Sequence, residues 1–182
     1  TAQKRSESIQ DVPSSVNVID GDALKDFNVF SFTDLDALTA GLNITSFNGR
    51  SGRIDLRGID YNPNSAAEAT VTTYWNQAVV DSNAVFQQMF DIQRVEVLRG
   101  PQGSLFGRNA VGGAVSLVSK KPSGQFGFSQ TLTMGRFDQL RSVTRINFDQ
   151  VAGVKAKLDY IHTERDGWVN NRALGESDYN QY

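Results

Sequence analysis

One run constrains this chain more than any other: R-V-E-V-L-R-G-P-Q-G-S-L-F-G-R-N-A-V-G-G-A-V-S-L-V-S-K-K-P, from Arg94 to Pro122. Two apolar, β-branched stretches, Val95–Leu98 and Ala114–Val118, each read as a strand. Between them lie Pro101 and the glycines Gly100, Gly103, Gly107, Gly112 and Gly113. Glycine takes positive φ and lets two backbones approach closely. So many glycines exceed what a hairpin loop needs. The run therefore predicts a tight, irregular, buried connection between two strands of one core.

The residues before it read as short alternating elements. Val16–Ile19 predicts a strand, and Asp20 or Gly21 leads into a brief helix over Asp22–Phe27. Ser31 is placed to cap a second helix, with Leu35 and Leu38 three apart on one face and Gly41 as its C-terminal stop. Ile54–Arg57 alternates like a strand, and Tyr61–Ala69 reads as a loop. Val71–Trp75 and Ala78–Asp81 predict a hairpin around Asn76-Gln77. A type I′ turn needs positive φ at both central residues, which would cost Gln77 roughly 1–2 kcal/mol. Another turn type is therefore expected.

After Pro122 the texture changes. Phe126, Phe128, Leu132 and Met134 alternate with Gly127, Ser129, Thr131 and Thr133. Leu140–Asp149 repeats the pattern less cleanly, and Val154–His162 sets Val154, Ala156, Leu158 and Tyr160 against Lys155, Lys157 and Asp159. The segments have about the length a tilted strand needs to cross a bilayer, roughly 9–11 residues. Alternation alone fits two architectures equally well: a membrane barrel, apolar outward, or an antiparallel sheet over a soluble core.

The Arg94–Pro122 run resembles the plug-domain signature of TonB-dependent outer-membrane receptors: a strand ending in L-R-G-P, an L-F-G turn, a glycine pair, and an apolar strand ending in K-K-P. T-A-Q-K-R at Thr1–Arg5, Q-D-V-P at Gln10–Pro13 and D-L-R-G at Asp55–Gly58 agree in order and spacing. The resemblance spans the whole chain and weakens between Pro63 and Gln88. It implies an α+β plug domain, a mixed small sheet with short helices, over residues 1–122. The first antiparallel strands of a transmembrane β-barrel then occupy 123–182, and the resemblance decides the open alternation in favour of that barrel. Plugged transporters have roughly 22 strands, so the expectation is part of a larger receptor. Arg136–Gln139 becomes an external turn, Asp149–Gly153 a periplasmic one, and Asp166–Tyr182 the start of a longer external loop.

The resemblance also implies a function: energy-coupled uptake of a scarce nutrient through the outer membrane of a Gram-negative bacterium. A ferric siderophore comes first as ligand, with cobalamin, haem or an oligosaccharide as alternatives. The implied partner is the periplasmic energy transducer TonB, which meets a short apolar segment by strand addition, a segment placed just before Thr1. Arg57 and Arg99, each in an L-R-G triplet, are implied to latch the plug to glutamates on the inner barrel wall beyond Tyr182. Arginine suits that role because its planar fork stays charged and pairs bidentately with carboxylates. Ligand contacts are implied at the plug apex, by Arg50, Tyr61, Asn62, Asn64, Ser82, Asn83 and Phe86.

Other classes find little support. A net charge of −2 raises no field for nucleic acid, and without cysteine there is neither a disulfide framework nor a thiolate metal site. His162 is the only histidine, set late in a strand without cysteine or metal-ligand spacing, so a His-dependent triad or zinc site would have to be built around it without support. Gly107 to Gly112 has the spacing of a phosphate loop, but Gly113 stands where its lysine belongs. The Thr1–Glu7 segment is polar and carries no apolar h-region. No cofactor and no enzymatic activity are expected. The rival reading is a plug-like module that binds a partner without transporting anything.

Overall fold

The computed structural model describes residues 15–47, 51–59, 70–87, 89–101, 110–166, 169–171 and 176–178. The chain divides into two compact units, the second beginning at Lys121.

The first unit is built on a five-stranded mixed sheet. Its strands are β1 (Ser15–Asp20), β4 (Val71–Trp75), β5 (Ala78–Val80), β6 (Ile92–Arg99) and β7 (Gly113–Ser119), in the order β1-β6-β7-β4-β5. Neighbours are antiparallel except β4 and β7, which run parallel. Two further strands, β2 (Leu42–Ser46) and β3 (Gly52–Leu56), form a separate antiparallel pair. Period-two patterning explains which side packs. Val95 and Val97 of β6, Val115 and Leu117 of β7, Ile19 of β1 and Val71 of β4 share the main core. Leu42, Ile44, Ile54 and Leu56 of the β2–β3 pair complete it, with Leu24, Phe32, Leu35, Val85 and Phe86 from the helical segments. The opposite parity, Leu98, Ala114 and Tyr74, forms a smaller cluster with Val16 against it. Burial there pushes the Tyr74 phenol pKa up, because the phenolate loses its hydration.

Local chemistry sets the helices. Helix α1 (Gly21–Asp26) starts at Asp20, whose Oδ1 accepts from the backbone N–H of Asp22 (3.1 Å) and Ala23 (2.7 Å). The Lys25 ammonium, 3.0 Å from Asp22, holds that carboxyl below its usual pKa. The second expected helix is a 3-10 helix over Phe32–Leu38, and it stops before Gly41. Asp34 Oδ2 accepts from the backbone N–H of Phe30 and Ser31. Eclipsed i, i+3 side chains suit Leu35 and Leu38, which both turn inward. The Leu38 carbonyl and Thr39 Oγ1 both receive the Asn17 side chain of β1, at 3.4 and 3.2 Å, which ends the helix against the sheet. Gly41, at φ 77°, serves instead as the turn into β2. Helix α2 (Ser82–Gln87) follows β5.

The β4–β5 turn departs from expectation. Asn76 and Gln77 both have positive φ, 49° and 72°, as a type I′ turn requires. The reason is tertiary. Ser119 N donates to Asn76 Oδ1 (2.9 Å), Asn76 N donates to the Leu117 carbonyl (2.9 Å), and Trp75 Nε1 donates to Ser119 Oγ (2.7 Å). Strand β7 clasps the turn firmly enough to hold Gln77 in a left-handed conformation it would not adopt alone.

The second unit is a three-stranded antiparallel sheet, β10-β9-β8, of β8 (Gly127–Met134), β9 (Leu140–Asn147) and β10 (Lys157–Glu164). Each strand has eight residues. Gly135 N to the Gln139 carbonyl (2.9 Å) and Phe148 N to the Ala156 carbonyl (3.1 Å) extend the ladders into the turns. Strand β10 begins later than Val154 because Val151 and Val154 close a tight turn over Ala152 and Gly153, both at positive φ. The expected loop after Asp166 contains two short paired strands, β11 (Val169–Asn171) and β12 (Glu176–Asp178), so that stretch is partly a hairpin.

The sheet has one face of large apolar groups and one of polar and charged groups. Phe128, Leu132, Met134, Leu158 and Tyr160 share one face and are 55–79% exposed. On the other, Asp159 is buried between Arg145 (2.8 Å) and Lys157 (3.1 Å). Large apolar groups outside and paired charges inside are the pattern of a strand whose outer solvent is lipid. Gln130 interrupts the apolar face, and its amide is satisfied locally by Ser142 Oγ (2.8 Å) and Thr144 Oγ1 (2.5 Å).

Candidate functional site

The two L-R-G triplets meet at one glycine pair. Arg57 and Gly58 form a two-residue turn closed by Leu56 N to the Ile59 carbonyl and Ile59 N to the Leu56 carbonyl, both 3.1 Å. Both turn residues have positive φ, 55° and 76°. Arg57 therefore lies just past the strand it was expected to end, and its side chain is exposed. Arg99 is the last residue of β6 and pairs in register with Ser15 of β1 and Gly113 of β7. Its Nε is buried and has no hydrogen-bond partner among the described residues.

Gly113 brings the triplets together. A Cβ built there would lie 2.2 Å from the Leu98 carbonyl oxygen and 2.4 Å from Leu56 Cδ2, and its φ is 144°. Only glycine lets β7 fit between the residues preceding Arg99 and Arg57. Gly112 continues the seam: its N–H donates to the Thr70 carbonyl (2.9 Å), its carbonyl accepts from Gly100 N (3.1 Å), and Ile59 packs against it. Gly100, Gly112 and Gly113 thus carry the structural role expected of the glycine run. Gly103 and Gly107 lie outside the described residues.

The expected ligand contacts divide. Arg50, Tyr61, Asn62 and Asn64 lie outside the described residues. Ser82 and Asn83 open helix α2, where Asn83 N donates to Asp81 Oδ1 (2.7 Å). Asn83 Oδ1 is buried and has no hydrogen-bond partner among the described residues. Phe86 belongs to the core rather than to a stacking surface. Its ring meets Phe32 edge-on at 5.3 Å and occupies the space a side chain at Gly52 would need. Three helical positions separate it from Asn83, but α2 has only six residues, too few for their spacing to show which face would be covered.

Two polar arrangements escaped the sequence reading. Glu96 is buried on β6 with Arg94 Nε 2.7 Å away, two residues along the same strand. Asp55 on β3 takes Arg53 at 3.0 Å and Asn43 at 3.4 Å on one oxygen. Period-two spacing of opposite charges in an apolar strand is the signal that could have found both.

A family model, the TonB-dependent receptor plug domain, matches residues 8–114. The chain belongs to this family. The match spans the five-stranded sheet up to the start of β7, including both L-R-G triplets. Among curated relatives, the plug is similar to the pesticin receptor of Yersinia pestis, 36% identical over 124 residues, which are 65% of this chain and 17% of the relative. It is also similar to the catecholate siderophore receptor Fiu of Escherichia coli, 27% identical over 139 residues, covering 72% of this chain and 17% of the relative. Among solved structures, the ferric yersiniabactin uptake receptor FyuA of Yersinia pestis superposes with a TM-score of 0.86 at 28% identity, covering all of this chain and 29% of that receptor. The chain thus spans about a sixth of the curated relatives it matches. These relatives are receptors rather than enzymes. The fold is a plug domain followed by barrel strands, as their receptors have.

Proposed function

We propose that this chain is the plug and first barrel strands of an outer-membrane receptor that imports a ferric siderophore with energy delivered by TonB. The observation that carries this is the similarity to FyuA over the full chain, plug and following strands together, at 28% identity. Relatives named for catecholate siderophores and ferripyoverdine support iron complexes over cobalamin, haem or oligosaccharide as cargo. The alternation of an apolar and a polar face along β8–β10 supports the outer membrane as location.

In this reading residues 1–122 occlude the pore, and 123–182 begin its wall. Arg99 and Arg57 hold the plug to carboxylates of that wall. The place of Arg99 as the last residue of β6 supports the role, because a guanidinium at a strand end can pair bidentately with a carboxylate. In the same reading the cargo contacts are Ser82 and Asn83 at the start of α2, with Arg50, Tyr61, Asn62 and Asn64. Cargo binding must favour one plug state over another for TonB to read it, which requires different affinities for the two.

The test is iron uptake. Cells lacking their own siderophore receptors, but carrying the full-length receptor, are given radiolabelled ferric yersiniabactin, a ferric catecholate or ferripyoverdine. Accumulation of at least one complex, lost when TonB is deleted, is expected. Uptake of none, or uptake indifferent to TonB, overturns the proposal.

A further inference from the structure

Two sets of hydrogen bonds flank the place where the first unit passes into the second, one set inside each unit. On the plug side, Ser119 ends β7 and is tied to the β4–β5 turn. Its N–H donates to Asn76 Oδ1 (2.9 Å), and its Oγ accepts from Trp75 Nε1 (2.7 Å) and Asn76 Nδ2 (3.3 Å). Lys120 N donates to the Asp91 carbonyl (2.9 Å), just before β6. On the other side, the approach to β8 is tied to the turn between β9 and β10. Ser123 N donates to Asn147 Oδ1 (3.2 Å), Phe126 N to Asp149 Oδ1 (2.8 Å), and Gln150 N to the Gly124 carbonyl (3.0 Å). Ser123 Oγ donates to the Gln125 carbonyl (2.9 Å), and Gly124, at φ 78°, lets the chain pass against the Lys155 stem. Between the two sets lie Lys121 and Pro122, which carry no hydrogen bond among the described residues. Two residues span at most roughly 7 Å. Proline fixes its own φ and confines the residue before it to extended backbone, so this short joint also bends little.

We propose that Lys121-Pro122 is a stiff strut that couples the last strand of the plug to the first periplasmic turn of the wall, with Asn147 and Asp149 as the positioning residues that seat its wall end. The inference rests on the plug-in-barrel reading. Each seat is a side-chain oxygen that accepts from a backbone N–H, so the approach segment is fixed at Ser123 and Phe126 before β8 begins. The coupling passes along the chain itself: every bond in the two sets stays within its own unit. Strand β7 lies between β6 and β4 in the sheet, whereas β1 has a sheet neighbour on one side only. A gate movement larger than the slack of the strut therefore has to part strands within the plug, or break one of the two sets, before β7 can follow.

The experiment uses the full-length receptor in outer membranes, free of other cysteines. Val79→Cys on β5 and Ala152→Cys in the β9–β10 turn, both exposed positions, carry spin labels. Pulsed electron paramagnetic resonance reads the width of the distance distribution between them. Inserting Gly-Ser-Gly-Ser between Lys121 and Pro122 lengthens the strut and leaves both sets of bonds in place. Asn147→Ala with Asp149→Ala removes both acceptors, whereas Asn147→Asp with Asp149→Asn keeps an oxygen at each place. The insertion adds up to roughly 14 Å of reach, so a distribution about twofold broader is expected. The double alanine variant should broaden as well, and the exchanged pair should keep the native width. An unchanged width in the insertion or the alanine variant, or an exchanged pair as broad as the alanine variant, overturns the proposal. If the alanine variant does not assemble, the insertion and the exchanged pair still decide. Failure of the underlying reading looks different: the labelled protein would not be found in the outer membrane at all.

Discussion

At the residue scale, the glycine pair controls the site. Gly113→Ala places a methyl inside contact distance of the Leu98 carbonyl and Leu56 at a φ of 144°, so β7 must move. Overpacking of this kind costs about 1–3 kcal/mol, and here the obstacle is partly backbone, so the upper end is expected. Hydrogen-exchange protection of β6 and β7 in the full receptor should fall accordingly. Gly127→Ala is the control, since nothing lies within 4 Å of its built Cβ. Gln77→Gly should act in the other direction. It removes a left-handed penalty of roughly 1–2 kcal/mol, partly offset by glycine's greater unfolded-state freedom. Slower exchange at the β4–β5 turn would bear this out; unchanged exchange would mean that the Ser119 clasp already absorbs the strain. The two arginines should also separate. Arg99→Met removes a buried donor, whereas Arg57→Met alters an exposed one. Leakage of a large antibiotic through the receptor should rise more for Arg99→Met, and equal leakage would count against the latch as drawn.

At the element scale, what the sequence revealed and what it hid have distinct physical causes. Strands β1, β6 and β7 were legible because β-branched runs between turn residues leave few alternatives. Helix α1 was legible because its cap is a local interaction between Asp20 and the next three residues. The turn at Asn76-Gln77 was misread because its conformation is decided by Ser119, 43 residues away. The early stop of the 3-10 helix was hidden for the same reason, since Asn17 of β1 occupies its last carbonyl. Phe86 was misassigned because a six-residue helix has too little periodicity to show which side faces the core. The barrel strands were legible as alternation, whose sense came from the resemblance of the run before them; the pairing register then places Phe128, Leu132, Leu158 and Tyr160 on one face and Asp159 with Arg145 on the other. That sense is testable. Leu132→Arg, on the apolar face, should cost about 2–4 kcal/mol if near the bilayer midplane, less toward an interface. Thr131→Arg, one residue away on the polar face, should be tolerated. Heat-modifiable gel mobility of the assembled receptor would distinguish them, and equal tolerance of both would contradict a lipid-facing surface.

At the scale of the whole molecule, a plug, whose family is established by the match over residues 8–114, is followed by barrel strands with one apolar face. A three-stranded sheet with Phe128, Leu132, Met134 and Tyr160 exposed has no stable place in water. In a closed barrel the same face is an asset, because the strands leave no free edge. The most direct test is fractionation of cells carrying the native polypeptide, followed by gel mobility with and without boiling. The account predicts a species several times larger than this 20.0 kDa chain, extracted from the outer membrane only by detergent and shifting in mobility on boiling. A soluble species of the mass of this chain, with no heat-dependent shift, would contradict it.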